Sequence, residues 1–64
     1  MKLVSKEPEE GNFIVVWKCN GGIWASEVSK KKNGESKVYN SYYDQWEIKP
    51  THPKDVEVLC YVID

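Results

Sequence analysis

Phe13-Ile14-Val15-Val16-Trp17-Lys18-Cys19-Asn20-Gly21-Gly22-Ile23-Trp24-Ala25-Ser26-Glu27-Val28 is the stretch that decides the fold. Two runs rich in β-branched and aromatic residues flank an Asn-Gly step, the strongest short-range hairpin signal a sequence carries. A second Asn-Gly step follows at Asn33-Gly34, and a third run ends in Tyr42-Tyr43. The pattern predicts a three-stranded meander that carries most of the core.

Turn length sets which rings meet. A two-residue loop at Asn20-Gly21 pairs Cys19 with Gly22, Trp17 with Trp24, Val15 with Ser26 and Phe13 with Val28. A three-residue loop through Gly22 slips the register by one and sends Trp24 to the other face. The two-residue form is preferred, and the sequence leaves both open. A tight turn at Asn33-Gly34 would pair Val28 with Tyr39 and Trp24 with Tyr43, gathering Trp17, Trp24, Tyr39 and Tyr43 inside. The same turn opposes Lys30 to Lys37, a like-charge contact costing a few tenths of a kcal/mol, so a longer loop is its competitor.

Outward from the meander, Met1 to Lys6 reads as a short edge strand, and Glu7-Pro8-Glu9-Glu10-Gly11 as a turn. Asp44 to Lys49 fits a short strand or one helical turn. Strand is preferred because Pro50 follows and the segment is short. Pro50 to Asp55 is a loop held open by two prolines. Val56 to Ile63 is a last, largely apolar strand, expected beside Phe13–Cys19 or against the N-terminal segment. Phe13–Cys19 is apolar at nearly every position, which predicts a central strand covered on both faces. The expected architecture is a single all-β domain over residues 1–64. It has four to five mostly antiparallel strands in a curled sheet or SH3-like barrel.

Sixty-four residues bury only about 60% of their unfolded surface, so stability is marginal and the aromatics are needed inside. No apolar run approaches the ~20 residues of a membrane span, and the N-terminus turns polar too soon for a signal peptide. These readings predict a cytoplasmic protein with Cys19 and Cys60 as free thiols. Net charge is −1, and all nine basic residues are lysine. That balance disfavours a duplex-DNA binder and a membrane-surface helix.

Chemical signals are sparse. Cys19, His52 and Cys60 lie too far apart for a metal-ligand motif, and no cofactor is expected. His52 lies between two prolines beside no recognisable nucleophile turn. Asp44 and Glu47 flank Trp46, a faint echo of an acid–base pair, in a chain too short for a deep cleft. An enzyme is not expected. Single-strand nucleic-acid binding has its ingredients in Tyr42, Tyr43, Trp46 and the Lys30-Lys31-Lys32 run, weakened by the lack of arginine. Protein recognition is the leading expectation, because Tyr and Trp are enriched in interfaces. Its candidate residues are Tyr42, Trp46, Lys30, Lys31 and Lys32. Self-assembly into a homo-oligomer through an unpaired outer strand is a third reading.

The segment Val4 to Trp17, with Pro8-Glu9-Glu10-Gly11 ahead of a Val-rich strand and the Asn20-Gly21-Gly22-Ile23-Trp24 hairpin, resembles a family of short domains of unknown function. These occur in bacteriophage and enterobacterial genomes. The resemblance covers the first half of the chain. It implies a phage or prophage origin, hence a partner that is a host factor, and it implies no activity.

Overall fold

The computed structural model describes residues 1–64 as an all-β fold without helices. Its strands are β1 (Lys2–Val4), β2 (Gly11–Cys19), β3 (Gly22–Lys30), β4 (Ser36–Asn40), β5 (Gln45–Ile48) and β6 (Glu57–Ile63). They form one antiparallel sheet in the order β1-β6-β2-β3-β4-β5. The sheet stays open, so the curled-sheet form holds rather than the barrel, and there are six strands where four to five were expected. β6 pairs with both of its expected neighbours, β2 and β1.

The first turn takes the two-residue form. Asn20 and Gly21 both have positive φ, 51° and 79°, as a type I′ turn requires. Cys19 then pairs with Gly22, Trp17 with Trp24 and Phe13 with Val28. The second turn does not. Lys31 and Glu35 close it through an N–H to C=O bond of 2.8 Å, with Gly34 at φ 97° inside. One extra loop residue slips β4 by one: Val28 faces Val38, and Lys30 faces Ser36 instead of Lys37. The slip removes the lysine clash and delivers Val38, not Tyr39, to the core.

A β-bulge does comparable work in β6. Val16 pairs with Cys60 and Trp17 with Val58, which leaves Leu59 without an opposite residue. Strict alternation would put Val58 and Tyr61 on opposite faces. The bulge puts both on the covered one, and both join the core there.

Five residues form that core: Phe13, Val15, Val28, Val38 and Tyr61, with Val4, Trp17, Val58 and Ile63 packed around them. Phe13 and Tyr61 meet edge-on at 6.0 Å between ring centroids. All nine project from one side of the sheet. The expected aromatic interior is therefore corrected. Trp24 is 57% and Tyr43 64% exposed, and Tyr39 is on the opposite side. β2 is central, but only one of its faces is covered.

Glu7 ties the covered face down. Its Oε2 accepts from Lys30 Nζ at 2.6 Å and its Oε1 from Thr51 Oγ1 at 3.0 Å. One carboxylate thus joins the first loop, the end of β3 and the loop after β5. Partial burial pushes the Glu7 carboxyl up, but the bonds from Lys30 and Thr51 outweigh it and hold it below its ordinary value. A carboxyl lowered in the folded state contributes stability above its unfolded pKa and loses it as pH falls through the folded one. Glu7→Gln is expected to cost about 1 kcal/mol at pH 7, after discounting for solvent screening. It should also flatten the loss of stability below about pH 4.5, read by urea titrations across pH 3–7. Parallel acid limbs in wild type and variant would refute this role.

Candidate functional site: an open strand edge and its groove

β3 is nine residues long and pairs with β2 along its whole length, but its ladder with β4 covers only Val28 to Lys30. Beyond Val28, β4 leaves it. The segment Gly22–Glu27 therefore has a strand on one side only. The two-residue turn makes Cys19 and Gly22 a hydrogen-bonded pair, so Gly22, Trp24 and Ser26 direct their backbone groups to β2. Ile23 and Ala25 direct theirs outward to no strand, and Glu27 directs its own toward the end of β4. No loop and no side chain bonds to the backbone of Ile23 or Ala25.

This edge lacks the usual protections. It carries no proline, no lysine and no bulge between Gly22 and Glu27, the devices that keep edges from pairing. Its side chains are accessible on both faces, with Ile23 69% exposed on one and Trp24 57% on the other. The Trp24 indole folds back over Gly22, where an added Cβ would stand 3.3 Å from Nε1. A side chain at Gly22 would make the ring give way by a few tenths of an ångström.

Beside the edge, on the covered face, lies a groove of about 420 Å³. Trp17, Ser26 and Val38 form its floor, and the loop from Lys49 to Lys54 forms its wall. Its size is within the range of small ligand sites. The wall owes its shape to Pro50 and Pro53, and its place to Thr51 on Glu7. His52 is half-buried there rather than free in solvent, with its Nδ1 2.9 Å from the Pro53 carbonyl oxygen.

The residues singled out from sequence scatter. The Lys30–Lys32 run is at the turn before β4, and Tyr42 and Tyr43 are in the turn after it, so β4 separates them by roughly 13–17 Å. Lys30 is taken by Glu7 and Lys31 pairs with Glu35 at 3.2 Å, leaving Lys32 without an ion-pair partner. Tyr42 is 86% exposed and stacks edge-on with Tyr43 at 4.9 Å. Trp46 packs edge-on against Tyr39 at 5.4 Å on the other face of the sheet. The Tyr39 hydroxyl donates to Asp44, which raises the phenol pKa. Glu47 is held low by bonds from Gln45 and Asn40 and by Lys49, so both carboxylates beside Trp46 are already engaged. Cys19 and Cys60 are free thiols on adjacent strands but opposite faces. No three His, Cys, Asp or Glu side chains stand close enough to hold a metal ion, and no helix is long and apolar enough to cross a membrane.

No protein family, curated protein or solved structure matches the chain.

Two paired tryptophans with different surroundings offer a check on this geometry. Trp17→Ala, which opens the core edge and the groove floor, is expected to cost about 3 kcal/mol. Trp24→Ala should cost under about 1 kcal/mol. Equal losses in denaturant titrations would contradict the exposed position of Trp24.

Proposed function

We propose that this chain is a small, non-enzymatic accessory protein that binds another polypeptide. In the form implied by its resemblance to phage domains, the partner is a host factor that it modulates or inhibits. The observation that carries the reading is the unpaired edge of Gly22–Glu27. A strand that ends in open backbone donors and acceptors is completed by an extended segment of another chain.

The groove supplies what an edge alone lacks. Main-chain bonds to Ile23 and Ala25 would bind any extended peptide. A side chain of that peptide on the covered face would enter between Trp17, Val38 and the Pro50–Pro53 wall, and would so select sequence. Trp24, amphipathic and half free, borders the same face and would pack on the arriving strand. The Trp17, Val38, Pro50 and Pro53 surfaces suit an apolar or aromatic anchor, and Ser26, Thr51, His52, Lys49 and Lys54 around them offer polar bonds, with Lys49 already paired to Glu47. The single-strand nucleic-acid reading has weaker support, because the lysine run and the Tyr42-Tyr43 pair flank opposite ends of β4.

Selection from a random display library of extended peptides tests the reading. Enriched peptides should share an apolar anchor and shift the amide signals of Gly22–Glu27, Trp17 and Val38. Ala25→Pro removes one outward N–H and leaves the bonds to β2 in place. It should weaken peptide binding at least about 10-fold with the circular dichroism spectrum unchanged. Peptides that bind elsewhere, or that bind Ala25→Pro equally well, would contradict it.

A further inference from the structure

The face of the sheet opposite the core is bare. Alternation places Leu3, Val62, Ile14, Glu27 and Trp46 in one row across it, with Tyr39 beside Trp46. Cys60, Val16 and Ala25 form the next row. Leu3, Ile23 and Ile48 are each 69% exposed, and Trp46 47%. A shallow groove of about 230 Å³ crosses this face between Met1, Ile14, Val62, Glu27 and Trp46. A domain is ordinarily built from two packed layers, because each sheet has an apolar face to bury. Here both faces are apolar and only one has cover.

The surface area measures how much is missing. The chain exposes 4963 Å², whereas a folded monomer of about 7.4 kDa exposes about 4,200 Å². The excess is roughly 750 Å², close to the ~800 Å² that each partner contributes to a standard stable interface. Five buried residues leave so small a domain dependent on that cover while it folds. The one molecule always present at that moment is another copy of the chain.

Charge on this face fits a self-contact. Lys18 stands opposite Glu57, Glu27 and Lys37 lie on the neighbouring strands, and Asp64 lines the groove, so both signs are interspersed. Two copies can meet without opposing a single-sign field. We infer that the protein is a face-to-face homodimer in which the open faces of two sheets pack around Ile14, Val16 and Val62. Sheets packed this way lie about 10 Å apart with side chains interdigitated. The β3 edge points out of the dimer sideways, so partner binding there is independent of dimerisation.

Sedimentation equilibrium of the intact chain from 1 to 200 µM should give twice the chain mass. Ile14→Lys, which buries a charge in the interface, should weaken association at least about 100-fold. Leu3→Lys with Ile48→Lys keeps the test sound if Ile14→Lys fails to fold, since both side chains are exposed and remote from the five-residue core. It too should shift the mass toward monomer. In a mixed-label dimer, interchain contacts should join the Ile14, Val16 and Val62 methyls. A monomer at 200 µM would overturn the inference. So would a dimer joined by interchain backbone hydrogen bonds of Ile23 and Ala25, or one that survives both lysine variants unchanged.

Discussion

One sheet has to serve as the whole domain, and the constraint that follows is which side of it gets covered. Phe13, Val15, Val28, Val38 and Tyr61 reach the same side only because two local irregularities agree. The extra residue in the Lys31–Glu35 turn rotates Val38 inward. The Leu59 bulge brings Val58 and Tyr61 to one face. Without either, the core would lose a member to solvent. Loops then close over this side, fastened by Glu7 to Lys30 and Thr51.

The two proposed surfaces are consequences of the same economy. Slipping β4 by one residue fits Val38 into the core, but the β3–β4 ladder stops after three pairs. The remaining six residues of β3 keep a free edge. Folding the Glu7 loop and the loop after β5 over one face leaves the other face uncovered. Edge and face differ in chemistry: the edge offers backbone hydrogen bonds beside a groove, and the face offers apolar area with charges of both signs. An extended segment suits the first and a second sheet suits the second.

Much of the fold was legible in the residues. Asn20-Gly21 specified its turn, and β2, β3, the edge strand near Leu3, the short strand around Trp46 and the last strand all form as read. The second turn departs from the tight form because Asn33-Gly34 fits either a two- or a three-residue loop. The like-charge contact of Lys30 with Lys37 was the signal that favoured the longer one. The bulge had no signal, since an unbroken apolar run such as Val58 to Ile63 hides its own parity. The candidate site was legible only in part. Tyr42 is exposed as expected, but the β3 edge depends on where β4 leaves the sheet. That departure is a property of packing that no local pattern in Gly22–Glu27 records. Composition places Trp24 in the core because aromatic residues in so small a chain are needed inside, but Val15, Val28 and Val38 fill the covered face and leave Trp24 exposed.

Native-state amide hydrogen exchange residue by residue along β3 tests the open edge most directly. Ile23 and Ala25, whose N–H groups point away from β2, should exchange at rates near those of an unstructured chain. Trp24 and Ser26, bonded to β2, should be protected to the level of the sheet. This alternation along one strand is the signature of a neighbour on one side only. Uniform protection from Gly22 to Glu27 would mean that the edge is already paired, and would contradict the assignment.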